Sequence, residues 1–387
     1  MRVVHVLIAP DCFTGTLTAG QAAAAMAEGW LRTAPHDRLE LVPLSDGGPG
    51  FIEVLAANLD GELHALVVSD PYGRPVPATV FIADEVAYIE CAQAAGLHLL
   101  ATDERDPTRT STFGVGELVR AALELGARRI VVGLGGSGTN DAGAGLLAAL
   151  GVGSRERLAI GGLALSATTA DDLTGLDEAR ARFRSVDLVI ASDVDSPLLG
   201  LKGASAVFAR QKGATEEQAQ ALEGALGHFA SVVARVRPPA KDLLTGTAIR
   251  PEREPGAGAA GGLGYALHLL GARRVSGIEA VLDAVDFAAH VAEADLVLTG
   301  EGSLDGQSLH GKVVVGVAEA AARGGVPVVA VPGRSELGRR DALSAGLAGV
   351  YPVVERADQL EAALEDPSGT LAARVARVAR TWSPPGA

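Results

Sequence analysis

The chain has 387 residues, of which 48% are hydrophobic and only 4% aromatic, and it carries 33 Lys and Arg against 47 Asp and Glu, a formal net charge of −14. That length accommodates two ordinary domains with an aliphatic core, and the acidic balance argues against nucleic-acid and anionic-membrane partners, so an anionic substrate needs a local basic pocket. Cys12 and Cys91 are too few for a disulfide framework and fit a reducing cytoplasm, and no run of about 18 apolar residues suggests a membrane span.

Residues 3–9 read as a first strand; Pro10-Asp11 follow at once, which does not suit a signal peptide. Thr18-Ala19-Gly20-Gln21 is a capping-box pattern that opens a helix ending before Pro35. A strand at 39–44 and a helix at 50–59 come next. Then the texture changes to three strand candidates, 63–68, 78–82 and 86–91, the first two joined by Asp70-Pro71-Tyr72-Gly73, as in a meander. Alternation resumes with helix 114–125, strand 129–132, helix 142–150 and strand 187–191. Thr215-Glu216-Glu217-Gln218 opens a long helix and Ser276-Gly277-Ile278-Glu279 another. Strand 295–299, helix 312–323, strand 326–331, helix 336–345, strand 350–354 and two closing helices complete the order, and the tail from Thr381 to Ala387 reads as a frayed end. The pattern is α/β with mostly parallel sheets and an inserted second domain.

The 49 glycines concentrate at strand ends and helix starts. The densest stretch runs from Gly133 to Gly145, between a buried-strand pattern and a helix pattern. Its N–H groups can converge on an anion, and a helix N-terminus adds partial positive charge. Asn140 and Asp141 stand where a cap or a metal-ordering carboxylate is useful. Other strands end in Asp11, Ser45-Asp46-Gly47-Gly48, Asp193-Val194-Asp195 and Thr299-Gly300-Glu301-Gly302, where an open α/β sheet binds ligands. Each carboxylate reads either as a cap or turn former, or as a group that orients Mg²⁺ or accepts a hydroxyl proton. Asp193 and Asp195 share a face if the strand continues through them. Lys202, Arg210 and Lys212 follow one loop and Lys312 another, as surface cations or as counter-charges to phosphate. Gly306 to Lys312 matches G-x-x-x-x-G-K, but Val313 replaces the Ser or Thr of a Walker A loop; His310 is left without a role.

Taken together these loops resemble the type 1 glycerate kinase family. The matching stretches are Ile8-Ala9-Pro10-Asp11, Ser45–Gly48, Asp106–Gly114, Gly135–Gly145, Asp193–Leu198, Gln211–Ala214, Gly256–Gly264, Thr299–Gly302, Asp305 and Gln307–Lys312. The resemblance implies phosphorylation of D-glycerate with ATP and Mg²⁺, with 2-phosphoglycerate as product. It also implies a Rossmann/flavodoxin-like parallel-sheet domain built from both chain ends, 1–62 and 288–387, and an inserted mixed α/β domain at 63–287. Thr14, Pro49 and Ser303 stand where the family usually has lysine, glutamate and arginine, which bears on how a small acid is gripped.

On this reading Asp193, then Asp46, orients Mg²⁺ or accepts the proton, and Lys312 or Lys212 stabilises transferred charge. Gly135, Gly136, Ser137, Thr139, Asn140, Asp141, Lys212 and Glu301 are the expected ATP-binding residues, with the substrate carboxylate as the alternative occupant of the glycine loop; Asp193 and Asp195 hold the metal, and domain closure excludes water. The expected partner is D-glycerate or a similar hydroxy acid, with no nucleic acid, no membrane and a homodimer left open. The alternatives are a kinase for a related hydroxy acid and a catalytically weak sensor of nucleotide or glycerate. A dinucleotide dehydrogenase fits less well, because no G-x-G-x-x-G follows the first strand.

Overall fold

The computed structural model of the chain describes residues 3–239, 241, 246, 248–306 and 312–383. The sequence features at residues 1–2, at 307–311 including His310, and at 384–387 lie outside the described residues. The strands are β1 (His5–Ile8), β2 (Arg38–Leu41), β3 (Glu62–Ser69), β4 (Pro75–Ala83), β5 (Val86–Glu90), β6 (Arg129–Gly133), β7 (Asp187–Ala191), β8 (Arg273–Val275), β9 (Leu296–Thr299), β10 (Ser303–Leu304), β11 (Val328–Ala330), β12 (Arg334–Ser335) and β13 (Leu347–Val350). The chain divides into two compact units, one of Met1–Asp46, Glu53–Leu59 and Ser276–Ala387, the other of Gly47–Ile52 and Asp60–Val275. Residues 276–287, read from sequence as the end of the insert, cluster with the chain ends.

The first unit holds an all-parallel sheet in the order β13-β11-β9-β1-β2, with Val6 opposite both Leu39 and Leu296. From β1 the chain crosses to β2 on one side; from β9 it crosses to β11 and β13 on the other. The switch point therefore lies between β1 and β9, whose carboxyl ends carry Asp11 and Glu301. Val6, Ile8, Leu296, Leu298 and Val329 are buried with Met26 and Trp30 of the helix Ala19–Leu31. Thr18 caps that helix as its sequence specifies: its side chain accepts from Gln21 N, and Gln21 Oε1 accepts from Thr18 N. Gly29 lets the helix Pro367–Trp382 pack close, since a Cβ there would sit 2.2 Å from the Ala372 carbonyl oxygen. The last strand occupies Leu347–Val350 rather than 350–354. Pro352 offers no N–H to a ladder, and the chain beyond Val350 instead bonds the carbonyls of Ala330 and Pro332 through Tyr351 and Val353.

The second unit holds the sheet β3-β4-β5-β6-β7-β8, antiparallel through β5 and parallel from β5 to β8. The meander turn forms because Asp70 Oδ1 accepts from Tyr72 N and Arg74 N at 2.8 Å each, with Gly73 at φ +79°. The helix Ala259–Leu270 and strand β8 are absent from the sequence reading. Their signal is weak because Ala260, Gly261 and Gly262 interrupt the helix with left-handed backbone. That break brings the chain against the glycine loop: a Cβ on Gly261 would lie 2.0 Å from the Thr139 carbonyl oxygen. No helix among the described residues is long and apolar enough to cross a membrane.

Candidate active site

In the first unit, Asp11 follows β1 with its N–H donating to the Gly300 carbonyl (2.8 Å), which ties the loop after β1 to the loop after β9. Burial, then the charges of Asp46 and Glu301, push its carboxyl up to about 8. Asp11, Asp46 and Glu301 thus form one electrostatically linked acidic group at the switch point. The neighbouring Cys12 thiol is pushed up to about 12 by burial and by Asp11, so it stays protonated. Asp11 was among the strand-end carboxylates in the sequence but not among the chosen site residues; its position directly after the first strand is the signal that marks it. Ser303, on β10, accepts from Arg334 Nε at 3.2 Å across the parallel pair with β12, so a guanidinium stands beside this neutral side chain. Lys312 occupies the N-cap position of the helix Val313–Gly324.

In the second unit, the glycine loop leaves β6 and is fastened at both ends. Gly135 N donates to Gly47 O, Gly138 N to Ala95 O, and Ala142 N to Gly261 O. Gly136 takes φ +72°, and its carbonyl accepts from Leu97 N. Asp141 is fully buried and accepts from Thr112 N (2.8 Å), Thr112 Oγ1 (2.9 Å), Gly143 N (3.0 Å) and Gly145 N (3.2 Å). Burial raises its pKa, and these bonds pull the other way. The following helix spans only Ala144–Ala149. The anion at this helix start is therefore the chain's own Asp141 carboxylate. Of the two uses the sequence allows for Asp141, the geometry is that of the cap.

The cationic feature lies upstream. Lys212 is 2% exposed, and its Nζ donates to Ser137 Oγ (3.0 Å) and the Thr139 carbonyl oxygen (2.7 Å). Burial lowers its pKa to about 8, with the charges of Cys91 and Asp141 opposing that shift. Among the described residues it has no carboxylate within ion-pair distance. Beside it, Thr139 Oγ1 and Asn140 Oδ1 are buried without a hydrogen-bond partner, while Asn140 Nδ2 donates to Ser205 Oγ (2.9 Å). The N–H groups of Gly136, Ser137, Thr139 and Asn140 carry no intramolecular bond among those described. Buried polar atoms of this kind ordinarily have partners; an anion can accept from the Thr139 hydroxyl and these N–H groups, whereas the Asn140 amide oxygen needs a donor. Glu90, at the end of β5, accepts from Gly50 N (3.1 Å) and supports the 47–52 segment.

The Asp193 loop departs from the expected geometry. β7 ends at Ala191, and Val194 N turns back to Ser192 Oγ, so the same-face argument for Asp193 and Asp195 does not apply. Asp195 is mostly exposed and paired with Arg274 (2.8 Å), whose Nε also donates to the Ser192 carbonyl (3.0 Å). Arg210 makes an exposed pair with Glu216, and Lys202 is exposed.

A parallel sheet with carboxylates at its switch point, and a second sheet whose glycine loop holds a buried ammonium, are the features of an α/β protein that handles a small anionic ligand. The glycerate kinase family model matches residues 6–383. The chain is 41% identical over 369 residues to the glycerate kinase of Bacillus subtilis strain 168, covering 94% of this chain and 93% of that one. It is 39% identical over 338 residues to the glycerate 2-kinase of Escherichia coli K12, covering 85% of each. A crystal structure from Salmonella typhimurium LT2, provisionally named glycerate kinase 2, superposes with a TM-score of 0.79 at 37% identity and 98% coverage of both chains. The chain belongs to the glycerate kinase family, and as a kinase it takes ATP as co-substrate with a small-molecule acceptor.

Proposed function

We propose that this protein transfers a phosphoryl group from ATP to the 2-hydroxyl of D-glycerate, giving 2-phosphoglycerate. The observation that carries this reading is Lys212, a buried ammonium with no carboxylate partner, held on the glycine loop by Ser137 and Thr139. An ammonium so placed lacks only an anion, and ATP supplies it. The loop N–H groups from Gly136 to Asn140 and the orphaned Thr139 hydroxyl add donors; Gly135 and Asp141 fix the shape of the loop. The E. coli relative named glycerate 2-kinase supports phosphorylation at the 2-position.

The described residues hold no cluster of three metal-ligating side chains, but Mg²⁺ needs only one or two carboxylates besides phosphate and water, and Asp46 and Glu301 offer hard carboxylate oxygens beside Asp11, which burial and then their charges raise. In this proposal one or two carboxylates of the first unit, Asp46 and Glu301, would hold the ion; Asp193 keeps the role read from the sequence, to orient Mg²⁺ or accept the hydroxyl proton. Bound Mg²⁺ supplies neutralisation of phosphate charge. Asp195, committed to Arg274, positions its loop. With its carboxyl up at about 8, Asp11 is largely protonated at neutral pH and can donate a hydrogen bond to a phosphate oxygen. Lys312, at the positive start of its helix, stabilises transferred charge. Glycerate carboxylate recognition draws on Arg334, which brings a guanidinium to Ser303.

The test is turnover of Mg-ATP with D-glycerate, with the product resolved by NMR. The expected product is 2-phosphoglycerate; turnover should stop on chelation and return with Mg²⁺. Formation of 3-phosphoglycerate would overturn the regiochemistry. Turnover confined to another hydroxy acid would replace the acceptor.

A further inference from the structure

A cavity of about 330 Å³ in the second unit shares no residue with the candidate site. It lies between the helix Glu216–Val236 and the helix Ala259–Leu270. Its size falls within the range of small-molecule pockets. Arg180 precedes β7 and Leu269 precedes β8, so the cavity lies by the amino ends of these strands; the glycine loop leaves the carboxyl end of β6. The buried Val233, Tyr265 and Leu269 form its floor, and Pro238, Pro239 and Ile249 are its exposed apolar walls.

Its charge is one-sided. Arg180, Arg237 and Arg250 reach it with His268, against a single carboxylate, Glu252. Arg237 is engaged by Asp177. Arg180 is half-buried, donates to the Leu269 carbonyl, and has no ion-pair partner among the described residues. Burial, and then the like charge of Arg237, hold its pKa below the ordinary arginine range. The nearby charge of Asp177 offsets this only in part, and a guanidinium does not shed its proton, so a bound anion would reduce the remaining cost of its burial. Both ring nitrogens of His268 lie 3.2 Å from carbonyl oxygens, of Ala272 and Pro255.

We propose that this cavity is a second ligand site for a small anion with an apolar body, a carboxylate or a phosphate ester. The charged end meets Arg180, and the apolar body covers the exposed Pro238, Pro239 and Ile249. A bare inorganic anion would satisfy the charge but leave those walls uncovered.

Calorimetric titration of the full chain, without ATP or glycerate, tests this with phenyl phosphate, benzoate and inorganic phosphate as probes. Phenyl phosphate and benzoate should bind, and inorganic phosphate at least tenfold more weakly. Arg180→Gln should weaken phenyl phosphate at least tenfold. Ala234→Trp, at the exposed rim, should do so by blocking the cavity with every cation retained, and it decides the matter if Arg180→Gln does not fold by circular dichroism. No binding of phenyl phosphate, equal binding of inorganic phosphate, or binding that ATP displaces and both variants leave unchanged would overturn the proposal.

Discussion

Replacing Lys212 by methionine separates the roles the structure gives it. In the protein alone its pKa falls from 10.5 to about 8, equivalent to about 3 kcal/mol spent on keeping the ammonium charged. Methionine removes that cost but leaves the Thr139 carbonyl and the Ser137 hydroxyl without their donor, a loss of about 1–3 kcal/mol. The two effects nearly cancel, so stability should change by less than about 2 kcal/mol. Turnover should not be spared, because losing one preorganised donor to a developing charge costs about 10²–10³ in kcat. The sign of the pH dependence follows from the same shift. The ammonium must be charged to act, so kcat/KM for ATP should fall as pH rises through about 8, and Lys212→Arg should abolish that alkaline limb. Stability runs the other way: between about 8 and 10.5 the unfolded chain binds a proton that the folded one does not, so stability rises with pH across that window and flattens in the methionine variant. A coupled assay of ADP release, paired with denaturant titrations, reads both. Methionine at 212 with kcat within threefold of wild type would refute the assignment.

Asp11→Asn should flatten the pH dependence of stability between about 4 and 8. The folded carboxyl titrates at about 8 against 3.8 unfolded, so its stabilising contribution is full below the lower value and lost as pH rises through the upper one; thermal melts across that range check the sign. Asp141→Ala should destabilise by about 3–5 kcal/mol, since it strips acceptors from Thr112, Gly143 and Gly145 in a fully buried site, and denaturant midpoints measure it. Arg334→Gln should raise KM for D-glycerate by about tenfold or more, with KM for ATP unchanged, if its guanidinium grips the substrate carboxylate; steady-state kinetics with each substrate varied in turn would show the split.

The elements that could be read in advance are those whose causes are local. Thr18 and Thr215 each cap a helix through a glutamine three residues on, and both boxes form. The meander follows from period-two alternation and the Asp70 turn, and family membership from motifs in chain order. Tertiary structure decided what surrounds the candidate site residues. Asp141 serves the helix start because Thr112, 29 residues away, is folded against it. Asp195 is drawn to Arg274 on a strand that the sequence did not announce. Ser303 gains its neighbouring cation from Arg334 only through the β10–β12 pairing. Lys212 looks like any other lysine in the sequence, yet burial alone lowers its pKa to about 8. Caps, turns and strand alternation depend on neighbours a few residues apart. Desolvation and counter-charge depend on atoms that only the fold brings together, so the chemistry of a side chain is set after its secondary structure.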